Sequence, residues 1–262
     1  MTAFPTYLTD TATMLWRNVR HMRRYPMLLF IAGIPVVLLL LFVFVFGGTL
    51  GAGLGGVTGG RAEYAAYVTP GILLFTVAGG SQGTAIAVAM DMKEGIVARF
   101  RTMPISRASV LTGHVLANVL QTLVAVAIDV GVALLIGFRA TTGPAEWIAA
   151  AGLLGLTTLA ITWISVALAL VSKSVETASN LPMPLMLLPF FGSGFVPTAS
   201  MPDPLRWFAD NQPFTPIIET VRQLLVGGEI GSRGLIAVAW CVAITLVGYL
   251  WARMLYDRDP AR

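Results

Sequence analysis

The chain has 262 residues, of which 56% are hydrophobic and only 11% charged, and its mean hydropathy is +0.79. Soluble domains carry about 25% charged residues, so a water-wetted surface over this length is excluded and the main solvent must be lipid. The net charge of +4 does not point to nucleic acid, because the 15 Arg and 2 Lys lie at the ends of apolar runs, as membrane topology places them.

Residues 1–26 come first. Leu8, Ala12, Leu15, Val19 and Met22 recur at helical steps, Arg17, Arg20 and Arg24 lie on the other side, and Tyr25-Pro26 ends the run. This predicts a basic amphipathic helix in the membrane interface, its arginines near anionic headgroups. The apolar run that follows begins only at Met27 and lacks a small-residue cleavage site, so it reads as an anchor and not as a signal peptide.

A helix crosses the hydrocarbon core with about 20 apolar residues. Six stretches are predicted to do so: 27–46, 67–89, 109–138, 147–171, 181–198 and 234–253. The fifth is interrupted by Pro182, Pro184, Pro189 and Pro197. Between the first two, 47–60 holds eight glycines and no charge, which reads as a flexible loop. Between the last two, 197–234 is rich in proline and aromatics, and Pro216 opens a short amphipathic helix. Together with the broken fifth span, this predicts short re-entrant helices. The expected fold is all-α, a single polytopic transmembrane domain over 1–262.

Twelve basic residues fall in 1–26, 90–109, 172–180 and the C-terminal tail, against five in the other connections. That asymmetry places both termini in the cytoplasm.

Enzymatic constellations are absent from the sequence. His21 and His114 have no metal-ligand spacing, Cys241 stands alone, and there is no nucleophile elbow, zinc-protease or phosphate-loop motif. No catalytic residue, metal or cofactor is expected on the chain.

Two stretches carry candidate function. The third span places His114, Asn118, Gln121 and Asp129 within about an 80° sector of a helix. Gln82 lies in the second span beside Gly79, Gly83 and Ala87, a small-residue stripe suited to close packing within the subunit or across a dimer. Intramembrane polar groups face protein or water. The five therefore form either the wall of a translocation path, with Asp129 attracting cationic amphiphiles, or an interhelical hydrogen-bond seam. The second stretch is the loop from Asp91 to Arg107. It mixes Lys93, Glu94, Arg99 and Arg101 with apolar Ile96, Val97, Phe100 and Met103, and Pro104 stops it. A helix of this kind must bury its apolar face against a partner or the bilayer surface.

This order of elements resembles ABC-2 type permeases, particularly the daunorubicin-resistance branch. The likeness lies in Glu63-Tyr64 with Tyr67-Val-Thr-Pro-Gly71, in Asp91-Met-Lys-Glu-Gly-Ile-Val-Ala-Arg-Phe-Arg-Thr-Met-Pro-Ile105, and in Ile136-Gly-Phe-Arg139. It continues in Phe195-Val-Pro, Met201-Pro and Asn211-Gln-Pro-Phe-Thr-Pro216. One departure is Gln212, where the family often runs Asn-Pro directly. The resemblance implies a permease subunit in the bacterial cytoplasmic membrane, dimeric with itself or a paralogue, on two copies of a separate ABC ATP-binding subunit that holds MgATP. It further implies that 91–105 is the coupling helix. Lys93, Glu94, Gly95, Val97, Arg99, Phe100, Arg101, Met103 and Pro104 would seat in a groove of the ATPase. The cargo would be a hydrophobic or amphipathic compound such as an antibiotic or lipid. The alternatives are an exporter of polysaccharide or glycolipid in the same family, or an ATP-independent secondary transporter or channel. The last would be expected to show internal repeats and several intramembrane ionisable residues, and neither feature is found.

Overall fold

The computed structural model describes residues 27–48, 60–93 and 107–258, and no strand occurs among them. The amphipathic 1–26 segment, most of the glycine-rich loop and coupling residues 94–105 lie outside the described residues.

Helix α1 (Met27–Leu41) runs into a π-helical turn, Phe42–Phe46. Four long helices follow: α2 (Gly60–Lys93), α3 (Arg107–Leu135), α4 (Pro144–Val171) and, after the short elements, α9 (Gly231–Arg258). At 1.5 Å per residue they are about 40–50 Å long, more than a hydrocarbon core requires. Among the described residues these four are long and apolar enough to cross a membrane, and Ile31–Phe46 is a shorter apolar helix.

The 181–198 stretch is not one spanning helix. It follows α5 (Val175–Asn180) and is divided into α6 (Met183–Leu187), a 3₁₀ turn, Leu188–Phe191, and an irregular run to Pro197. Each interior proline removes an amide donor and pushes its ring toward the preceding turn, so no helix longer than two turns survives. The chain continues through a 3₁₀ turn, Thr198–Ser200, to α7 (Asp203–Asn211) and α8 (Phe214–Val226).

Helix α2 is central, with 72% of its apolar window buried against 22% for α9; α9 packs chiefly along α4 and secondarily against α8 (Phe214–Val226). Two apolar clusters hold the bundle. One joins Tyr64, Val68, Ile72 and Val77 of α2 to Val126, Phe138, Phe195, Ile218 and Leu225. The other surrounds the Lys93 end, with Val88, Leu111, Val115, Trp163, Val166, Ala178 and Tyr256. Aromatic contacts fix the broken segment: Phe190 stacks on Phe195 at 4.3 Å, and Phe195 meets Phe42 at 4.8 Å.

The Ile136-Gly-Phe-Arg139 stretch is a helix stop. Gly137 adopts φ 111°, Phe138 N–H donates to Ala133 O and Gly137 N–H to Leu134 O, the pattern of a Schellman C-cap. The reversal drops Phe138 fully into the core.

Candidate functional site

Three sets of polar side chains are built into the bundle, and the first two divide the five candidate residues Gln82, His114, Asn118, Gln121 and Asp129. At the Lys93 end, His114 Nε2 lies 2.9 Å from Asp91 Oδ2, joining α3 to the last turn of α2. On another side of α2, Gln82 Nε2 donates to Ser179 O of α5 at 2.7 Å. Ser174 caps α5 by accepting from Thr177 N–H. The neighbouring Glu176 is exposed, and hydrogen bonds from its own backbone and from Ser174, helped by the field of Lys93, hold its carboxyl below the usual range.

Along the middle of the helices runs a hydrogen-bond seam. Asn118 Nδ2 donates to Thr162 Oγ1 at 2.8 Å, and Ser165 Oγ to Ser81 Oγ at 2.9 Å. Gln121 and Thr122 are buried beside them. Thr157, Thr158 and Thr162 also return their hydroxyls to carbonyls one turn back, which satisfies polar groups inside an apolar helix. Further along, Asp129 has 0% exposure. Its Oδ2 lies 2.5 Å from Thr76 Oγ1, and its Oδ1 has no hydrogen-bond partner among the described residues. The five are thus dispersed: His114 fastens α3 to the Lys93 end of α2, Gln82 fastens the middle of α2 to α5, and Asn118 and Asp129 bond to α4 and α2 within the subunit. Of the coupling residues, only Lys93 is described, as the last residue of α2.

The third set, at the opposite end of α2, centres on Arg222 of α8. Its Nη2 donates to Ser193 O at 2.6 Å and to Tyr67 O at 3.2 Å, and the guanidinium lies 4.0 Å over the Tyr67 ring. Tyr67 Oη donates to the same Ser193 O at 3.1 Å. Pro70, inside α2, removes the amide that would bond Ala66 O, one residue before Tyr67. The guanidinium stays charged, as arginine does in proteins. Gly71 lets the broken segment dock: a Cβ there would stand 2.6 Å from Gly194 O and 2.8 Å from Gly194 C and Cα. Gln212, the departure from the family pattern, caps α7 and donates Nε2 to Leu188 O at 3.2 Å, tying the α7–α8 junction to the 3₁₀ turn.

Asp91, Thr76, Ser193 and Arg222 were not singled out as site residues by the sequence pattern. Asp91 had one available signal, since it begins the family-like loop. Arg222 entered only as a charge between spans, and nothing local marks a residue that bonds to carbonyls far away in sequence.

Comparison with known proteins places these features in a family. Residues 9–226 match the model of the ABC-2 type transporter family. The chain is 30% identical over 245 residues to a daunorubicin resistance ABC transporter permease of Streptomyces coeruleorubidus, covering 89% of this chain and 84% of that protein. It is 29% identical over 183 residues to a probable doxorubicin resistance ABC transporter permease of Mycobacterium tuberculosis, covering 69% of this chain and 65% of the relative.

Proposed function

The chain belongs to the ABC-2 type transporter family, and on that premise we propose that it is the membrane subunit of an exporter whose energy comes from MgATP hydrolysed by a separate ABC ATP-binding subunit. The observation that carries this reading is the near full-length likeness to a drug-resistance permease, combined with a multi-pass helical bundle. Its cargo is a hydrophobic or amphipathic compound, for which daunorubicin is the first probe given the names of the relatives.

The complex is two permeases on two ATPase subunits in the bacterial cytoplasmic membrane. Both termini and residues 91–105 face the cytoplasm, as the basic asymmetry favours. Six crossings result when α1, the four long helices and the proline-broken 181–198 stretch each traverse the bilayer, with α7 and α8 dipping into the outer leaflet. Such irregular backbone needs protein cover, and the Arg222–Tyr67–Ser193 contacts with the Gly71–Gly194 approach supply it. Residues 91–105 form the coupling helix. The dispersal and burial of Asn118 and Asp129 favour an interhelical seam over a substrate-facing wall.

The test is efflux of daunorubicin from cells expressing the chain with its ATP-binding partner. Efflux should require both proteins and vanish when the partner's catalytic residue is inactivated. Efflux by the chain alone, driven by an ion gradient, would sink the reading.

A further inference from the structure

We infer that the Asp91–His114 pair is a positioning clamp that makes α2 and α3 move as one body when the coupling segment between them is pushed. The inference rests on the coupling reading of 91–105 and assigns to two residues outside any ATPase contact the task of transmitting its motion.

The placement supports this. Asp91 is in the last turn of α2 and His114 lies about two turns into α3, so the pair bridges the two helices at the base of the intervening segment. The contact is 2.9 Å, and the two side chains are only 15% and 11% exposed. Exposed ion pairs contribute little because water and salt screen them, but this one is shielded on both sides. Leu111 and Val115 flank His114 in sequence and are buried together with Val88 and Ala89 of α2. The same cluster contains Trp163 and Val166 of α4, Ala178 of α5 and Tyr256 of α9. A displacement delivered to the end of α2 therefore reaches four other helices through packed side chains, provided α2 and α3 do not splay first. Apolar contacts alone permit sliding, being non-directional; a hydrogen-bonded pair fixes separation and register.

A clamp has consequences that a docking residue does not. Asp91→Asn and His114→Asn should accumulate as folded permease and retain the ATPase subunit on purification. Daunorubicin efflux should fall at least ten-fold, the scale of a charge-assisted hydrogen bond acting on a two-state equilibrium. ATP hydrolysis by the purified complex should continue but lose its stimulation by daunorubicin. His114→Gln, whose amide donor reaches one methylene further than that of asparagine and so nearer the Nε2 position, should show a smaller loss and serves if the Asn variant fails to accumulate. The exchanged pair Asp91→His with His114→Asp should recover most of the efflux.

Wild-type efflux in both Asn variants, loss of the ATPase from either, or an exchanged pair no better than the single variants would overturn the clamp. Phe100→Ala serves as the separate control. It should release the ATPase, and if it does not, the coupling reading fails while the exchanged pair still reports on Asp91 and His114.

Discussion

The same substitution, glycine to alanine, should have opposite signs at two positions in this bundle. Within a helix, alanine is favoured over glycine by about 1 kcal/mol because it has less backbone freedom to lose. At Gly152 in α4 nothing lies within 4 Å of an added Cβ, so Gly152→Ala should realise that gain. At Gly71 the added Cβ would meet three backbone atoms of Gly194 at 2.6–2.8 Å. No side-chain rotation relieves that contact, and the broken segment must move away from α2. Overpacking of this kind costs about 1–3 kcal/mol. With the obstruction formed wholly of backbone, the upper end applies and exceeds the propensity gain, leaving a net loss of about 2 kcal/mol. At 2–4 °C per kcal/mol for a chain of this size, Gly71→Ala should lower the midpoint of thermal unfolding by roughly 4–8 °C, and Gly152→Ala should raise it by roughly 2–4 °C. Intrinsic tryptophan fluorescence or size-exclusion recovery after heating of the detergent-purified permease reads both. Shifts of the same sign in the two variants would refute the reasoning.

Three further outcomes follow from the same geometry. Arg222→Lys keeps the charge but loses the forked donation to Tyr67 O and the ring contact, so it should destabilise the fold by about 1–2 kcal/mol. Arg206→Lys, in an exposed pair with Asp210, should shift the midpoint by under about 1 °C, and equal effects would count against the Arg222 node. Asp129→Asn should change efflux of cationic and neutral probes by the same factor, because the carboxylate is sealed between α2 and α3; selective loss of cation export would restore it to the cargo path. In a Cys241→Ser background, cysteine at position 58 should be labelled by an impermeant reagent in intact cells and cysteine at position 106 should not; the reverse pattern would overturn the assigned orientation.

The long apolar helices were legible because lipid imposes a length and composition that few other environments require. The prolines at 182, 184, 189 and 197 announced the interruption, although the fate of the pieces depends on contacts the local sequence does not contain. Gly71 shows why: its partner, Gly194, lies far along the chain, and only the folded structure reveals that a methyl group would not fit. The polar row illustrates a different limit. Helical periodicity assigns His114, Asn118, Gln121 and Asp129 a common direction but says nothing of depth. His114 and Asp129 are about 22 Å apart along α3 at 1.5 Å per residue, so they meet different neighbours, Asp91 at one end and Thr76 further in.

Transport by this chain is held to be driven by a separate ATPase docked on residues 91–105, and a single variant tests that most directly. Phe100→Ala combined with Arg99→Glu removes the proposed apolar anchor and reverses a proposed charge contact, and truncating an interface anchor alone costs about 2 kcal/mol or more, roughly thirty-fold in affinity. Co-purification and daunorubicin efflux should be measured on the same cells. The account predicts that the permease inserts and accumulates normally, loses its ATPase subunit and stops exporting; a double variant that keeps its ATPase and exports at the wild-type rate would contradict it.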